Sequence, residues 1–254
     1  MRRLIVGVAV VAVGMSIAAC GGSKGSGPAA STTSTTTTTS ASSKPPIAQA
    51  ALSNLLLTPA EVDGVLGVTG SVSKEKIDKL QDDVTSTPGS PGWKFPDECV
   101  YAKGPATAPV YAGSGNTAVS GDMDTTSLNN DQDIMMGQVV VLFPSAKEAN
   151  DFFTTSAQRW PACADREIAE PATPDGTQTT YKIGPFSNAN GILSVTQTTT
   201  MSMSGQPTPM VLTSQRALTA RNNVVVDVVL MRKDPADFGV KVAAQIAGKI
   251  DKQQ

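Results

Sequence analysis

Not one histidine occurs in the 254 residues. Histidine is the side chain whose ordinary pKa lies nearest neutrality, and it is the commonest ligand of zinc and haem. Its absence excludes a Ser-His-Asp or Cys-His catalytic unit and any His-ligated metal. Aromatic residues are scarce at 4%, and charged residues make up only 17%. Lys and Arg number 20 against 22 Asp and Glu, so the formal charge is −2 and no basic surplus exists to attract nucleic acid. No G-x-S-x-G, S-x-x-K or paired-acid pattern sits in a context that would support catalysis without histidine. The chain is therefore read as a non-enzyme without cofactor or metal.

A long hydrophobic run is also missing. The apolar stretch Leu4–Met15 falls short of the ~20 residues needed to span a bilayer, even when extended to Ala19. Arg2 and Arg3 precede it and Ala18-Ala19-Cys20 closes it, which is the layout of a signal peptide with a lipoprotein cleavage site. Residues 1–19 are expected to be removed after export, by the general secretory route rather than the twin-arginine one. Cys20 would then carry a diacylglyceryl group, anchoring the chain to the extracytoplasmic face of the cell membrane. The alternative is an ordinary cleaved signal with an incidental cysteine. The other two cysteines, Cys99 and Cys163, are expected to pair in an oxidising envelope, stabilising the fold by about 4 kcal/mol on the chain-entropy model. The competing reading is a reactive thiol activated by a nearby base or cation.

Residues 20–50 are rich in Gly, Ser, Thr, Ala and Pro and poor in large apolar side chains. Such a segment cannot bury enough surface to offset the entropy of ordering, so a flexible tether is expected. The run Ser31–Ser40 is entirely Ser and Thr, open to O-glycosylation or simply a bare linker. Residues 51–254 form the folded domain. Thr58-Pro59-Ala60-Glu61 and Ser145-Ala146-Lys147-Glu148 both predict capping boxes that open helices. The first helix ends at Gly67, and the second buries Ala149, Phe152, Phe153 and Trp160. A third is expected from Asp234-Pro235 to about Lys252, with Phe238, Val242, Ile246 and Ile250 inward. Strands are predicted at Gln138–Phe143, Thr179–Ile183, Gly191–Met203, Pro209–Ala220 and Asn222–Leu230, with a tight turn at Arg221-Asn222-Asn223. Tyr101–Ala112 and the polar stretch to Asp133 read as short strands and turns. The sum is a single α+β domain with a largely antiparallel sheet.

Five segments carry a further likeness: Leu55–Gly67 (LLLTPAEVDGVLG), the ECV around Cys99, Val139–Phe153 (VVVLFPSAKEANDFF), Arg159–Cys163 (RWPAC) and Gln215–Val228 (QRALTARNNVVVDV). In this order and spacing they resemble the extracellular sensor domain of mycobacterial lipoproteins and of PknH-type receptor serine/threonine kinases. The resemblance spans about Leu52 to Lys252. It implies a twisted antiparallel sheet with helices packed on it, a ligand cleft, and a Cys99–Cys163 disulfide. It also implies a second cysteine pair near the last two strands, where this chain has Ser214 and Met231. No kinase domain accompanies the sensor-type domain, so signalling would require a partner.

Candidate ligand-binding residues are few. Trp93 and Trp160 are candidates to line the cleft, although a tryptophan beside a cysteine also packs against a disulfide. Arg216 and Arg221 flank a strand, where a guanidinium can grip an anionic group or simply be solvated. Asp122, Asp124, Asp131 and Asp133 with Asn129 and Asn130 offer oxygens but lack calcium-loop spacing, and so read as a polar surface loop. Met201, Met203 and Met210 read as core or edge packing rather than a copper site. The expectation is a sensor-type envelope lipoprotein that binds an unidentified small ligand or envelope component. The alternatives are a lipid or glycolipid carrier and a protein-docking lipoprotein.

Overall fold

The computed structural model describes residues 45–82, 92–127 and 133–253. Its helices and strands begin with a short helical turn, α1 (Leu52–Leu55), followed by α2 (Pro59–Leu66). The predicted capping box of α2 is present: Glu61 N–H donates to Thr58 Oγ1 at 3.3 Å and Thr58 N–H donates to Glu61 Oε2 at 2.8 Å. Gly67 ends the helix at φ 68°, a left-handed backbone that costs glycine little. Next come β1 (Val72–Ile77), a 3-10 segment (Asp97–Lys103) and the helical turn α3 (Ala108–Tyr111). They are followed by the hairpin β2 (Ala118–Thr126) and β3 (Ile134–Leu142), then α4 (Ala146–Arg159) with a 3-10 extension (Trp160–Cys163). The remaining strands are β4 (Glu167–Ala169), β5 (Gln178–Ile183), β6 (Ser187–Ala189), β7 (Ile192–Ser202), β8 (Met210–Arg221) and β9 (Val224–Met231), and α5 (Phe238–Lys252) closes the chain.

Among the described residues, nine strands form one antiparallel sheet in the order β1-β2-β3-β9-β8-β7-β5-β4, with β6 beside β7. Strand period dictates two cores. Val224, Val226, Val228 and Leu230 of β9, with Met136 and Val140 of β3, point to α1, α2 and α5. Val225 of β9, Leu218 of β8 and Val139 and Val141 of β3 point the other way, toward α4 and the disulfide. The valine-rich β9 is buried on both sides because helices cover both faces of the sheet's centre. Asn223 ties the domain's start to this centre: Ile47 N–H donates to its Oδ1 at 2.7 Å, and its Nδ2 donates to Ile47 O at 3.1 Å and Phe143 O at 3.0 Å. Ile47, inside the stretch expected as linker, is thus buried. Among the described residues no helix is long and apolar enough to cross a membrane.

The α+β class and the antiparallel sheet agree with the sequence reading, and so do the main helices. Four local expectations do not hold. Tyr101–Ala112 is helical rather than extended, in the 3-10 segment and α3. The last helix begins at Phe238, with no side-chain cap, rather than at Asp234-Pro235. Asp122 and Asp124 lie buried within β2 rather than in a surface loop, while Asn129, Asn130 and Asp131 lie outside the described residues. Met203 and Met210, expected in core or edge packing, are exposed near the tip of the β7–β8 hairpin, so the core alternative does not hold for them. The turn at Asn222 is left-handed as expected, at φ 51°. Ser214 and Met231 face each other across β8 and β9.

The burial of Asp124 has a thermodynamic consequence. Its Oδ2 accepts from Gln138 Nε2 at 2.8 Å, but its Oδ1 has no partner among the described residues. Burial, aided by the neighbouring Asp122 charge, pushes this carboxyl up from 3.8 to about 6. Between pH 6 and 4 the native state therefore holds a proton that the unfolded chain releases, and this group's contribution makes stability rise as pH falls. Asp124→Asn is expected to stabilise the domain by about 2 kcal/mol at pH 7, with the gain vanishing near pH 4. Urea unfolding of both chains from pH 4 to 7 checks the difference curve, and a difference that does not change with pH would contradict it.

Candidate functional site

A groove of about 1030 Å³, half open to solvent, runs between α4 and the segment from Asp97 to Ser114. Helix α4 is amphipathic and starts at Ser145, whose Oγ accepts from Lys147 N–H at 3.1 Å. Its inward face sets Phe152 against Tyr111, with centroids 4.3 Å apart, and against Phe143 at 5.6 Å. At the far end Trp160 stacks on Tyr101 at 4.5 Å, and Tyr101 Oη donates to Trp160 O at 2.8 Å. Burial pushes the Tyr101 phenol up to about 12, so it stays a donor at every physiological pH. Cys99 and Cys163 are bonded, with Cα atoms 5.2 Å apart, and this bond joins the two walls.

The floor is apolar, from Val100, Tyr101, Phe152 and Trp160, while the rim carries Glu98, Glu148, Asp151 and Arg159. Glu98 pairs with Arg166, and that hydrogen bond holds its carboxyl below the ordinary range. Glu148 is likewise lowered, chiefly by the Ser145 hydroxyl. These acids are ionised at neutral pH, so the groove offers an apolar bed with a charged edge. Such a surface is suited to a ligand with an apolar body.

Under the floor lies a buried ion pair. Arg216 grips Asp227 through two bonds, Nε to Oδ1 at 2.8 Å and Nη2 to Oδ2 at 2.6 Å, with side chains 1% and 0% exposed. Arg216 Nη1 also donates to Tyr101 O, and the guanidinium lies 5.2 Å from the Trp160 ring centre. Asp227 Oδ2 accepts further bonds from Tyr111 Oη and Ala106 N–H, both at 2.9 Å. Each side-chain nitrogen and oxygen of the pair has a partner, so the charges are compensated. The pair holds Tyr101, and through it the Trp160 stack, in place.

The four predicted ligand residues do not converge. Trp160 lines the groove, although it is 1% exposed and serves mainly as floor. Arg216 is fully buried with its own carboxylate, so it does not face solvent as an anion site; its position on a central strand, β8, forces it inward. Trp93 sits elsewhere, stacked on Tyr181 at 6.4 Å and edge-on to Phe95 at 6.0 Å. Arg221 lies on the opposite sheet face, donating to Thr219 Oγ1 at 3.0 Å and Ala220 O at 2.7 Å, with Asp251 at 3.8 Å. Cys20 is outside the described residues. Sequence reasoning missed Asp227, yet the run Val224–Met231 marks it: an acid flanked by valines on both sides must be buried and therefore paired.

Comparison with known proteins adds a separate line of evidence. The family model described as the PknH-like extracellular domain matches residues 47–249. Serine/threonine-protein kinase PknH of Mycobacterium bovis is 31% identical over 208 residues, covering 82% of this chain and 32% of that protein. The Mycobacterium tuberculosis H37Rv kinase of the same name is also 31% identical over 208 residues, with 30% of its length covered. The chain thus spans about a third of these relatives. The crystal structure of the extracellular domain of Mycobacterium tuberculosis PknH superposes with a TM-score of 0.65 at 28% identity, covering 82% of this chain and 98% of that one. The likeness falls on the extracellular part of PknH and not on its kinase domain.

Proposed function

The chain belongs to the PknH-like extracellular domain family, and from that premise we propose that it is a membrane-anchored, extracytoplasmic lipoprotein whose domain binds a ligand without catalysis. The observation that carries the binding reading is the groove between α4 and Asp97–Ser114, apolar below and charged at the rim. Its ligand is a small molecule or an envelope component with an apolar body. The anchor reading rests on the sequence around Cys20 and its lipobox-like context. A groove half open to solvent favours a sensor over a lipid carrier, which would enclose its cargo in a dry cavity between sheet and helices.

One experiment reads both parts. The chain is isolated from its own membranes in mild detergent and weighed intact, first natively and then denatured. A diacylglyceryl increment on Cys20, with residues 1–19 gone, is the expected denatured mass. The native spectrum is expected to carry a bound ligand that Thr155→Trp expels, because Thr155 is exposed and lines the groove. An unmodified Cys20 would end the anchor reading. A ligand-free spectrum, or a ligand that Thr155→Trp retains, would end the groove reading and favour docking to an envelope protein.

A further inference from the structure

A second recess lies apart from the groove, on the face of the sheet that α4 also covers. It has a volume of about 240 Å³ and is walled by Lys103 and Pro105, by Gln197 and Thr199 of β7, and by Ser214 of β8 and Met231 of β9. Gln197 is only 9% exposed. Its Nε2 donates to Thr199 Oγ1 at 3.2 Å, but its carbonyl Oε1 has no partner among the described residues. A buried acceptor left unpaired is costly, and a protein keeps one mainly where something else supplies the donor.

Lys103 supplies the complementary half. Its ammonium lies over the rings of Tyr181 at 4.6 Å and Phe95 at 5.1 Å, and among the described residues its one hydrogen bond is a long one, to Tyr181 Oη at 3.5 Å. Burial lowers its pKa, and the nearby Glu170 charge works against that shift. Tyr181 Oη donates in turn to Glu170 Oε2 at 3.1 Å, and Glu170 Oε1, also buried, has no partner among the described residues. The neighbourhood therefore holds one cation and one carboxylate, already balanced in charge. A simple anion or cation entering it would leave a net charge in a partly dry site. A molecule carrying both charges would keep the balance.

We propose that the Lys103–Gln197 recess binds a small, net-neutral zwitterion of amino-acid size, its carboxylate on Lys103 Nζ and its ammonium on Gln197 Oε1. Trp93, stacked on Tyr181, buttresses the ring on which Lys103 rests, giving this sequence candidate a supporting place. The site is separate from the groove and does not depend on what the groove holds.

The test uses the full chain in mild detergent with ¹⁵N-labelled glutamine side chains, titrated with glycine. Acetate and ethylamine serve as single-charge probes. The Gln197 side-chain amide signal, assigned by its loss in Gln197→Leu, is expected to shift saturably with glycine. Each single-charge probe is expected to bind about tenfold more weakly, because it forgoes one charge-assisted hydrogen bond. Lys103→Met is expected to abolish the response, and Thr155→Trp in the groove to leave it intact. No saturable shift with glycine would mean that water alone completes Gln197, and the proposal falls. Equal binding of acetate would mean an anion site and overturn the zwitterion assignment. A response that survives Lys103→Met would overturn the site itself.

Discussion

Asp227→Asn is expected to cost about 3–5 kcal/mol of stability. The substitution keeps the size of the side chain and one carbonyl oxygen, so Tyr111 Oη or Ala106 N–H retains an acceptor. What it removes is the charge opposite Arg216, which is 1% exposed and packed against Trp160 and Tyr101. A domain of this size has about 5–15 kcal/mol in total, so the loss is a large share. Ala106 sits at φ 50°, an uncommon backbone for alanine, and its N–H bond to Asp227 helps hold it there. Arg216→Met/Asp227→Asn is expected to recover most of the loss, because neither side then carries an unpaired buried charge. Urea unfolding of wild type, both single variants and the double variant closes the cycle. Additive costs would show that the pair contributes packing only. The groove supplies a second readout: with Tyr101 released from Arg216, ligand binding is expected to weaken even in conditions where Asp227→Asn remains folded.

Much of this architecture is legible in the sequence because it follows local rules. The Thr58–Glu61 capping box, the period of Val242, Ile246 and Ile250 in α5, and the valine run of β9 each state their own structure. What escapes local reading is the identity of partners distant in sequence. Arg216 and Asp227 stand on neighbouring strands two residues out of direct register, a diagonal pair on one face, Arg216 opposite Val229 and Leu218 opposite Asp227. Only the assembled sheet makes them meet. Arg216 alone reads as a solvated strand residue, and the opposite conclusion requires seeing that β8 lies at the sheet's centre between β7 and β9. The helical turns from Asp97 to Tyr111 were similarly hidden. They are too short to show a period, and their conformation follows from packing Cys99, Tyr101 and Tyr111 onto the sheet. The Lys103–Gln197 recess joins residues almost a hundred positions apart, beyond any spacing argument.

Removing the disulfide is expected to have a comparable cost but a different character. Cys99 and Cys163 are both fully buried and 64 residues apart, so the bond closes a long loop and restricts the unfolded chain. Cys99→Ala/Cys163→Ala is expected to lose about 2–5 kcal/mol, lowering the melting temperature by about 10 °C for a domain of roughly this length. Chain entropy alone would predict a uniform loss that leaves the native groove unchanged. The contacts predict more. The disulfide joins the 3-10 segment Asp97–Lys103 to Trp160–Cys163, and the other links between those walls are the Tyr101–Trp160 stack and the Tyr101 Oη bond to Trp160 O. Without the covalent bond, this end of the groove is held by those non-covalent contacts, which open more easily. Hydrogen exchange is therefore expected to speed up at Val100–Lys103 and Trp160–Ala164 well before it does in α5, which packs on the opposite face of the sheet from the bond. Uniform acceleration across the domain would instead assign the disulfide a purely entropic role. Local acceleration would identify it as the clamp that keeps the groove's walls at a fixed separation, in register with the ion pair beneath.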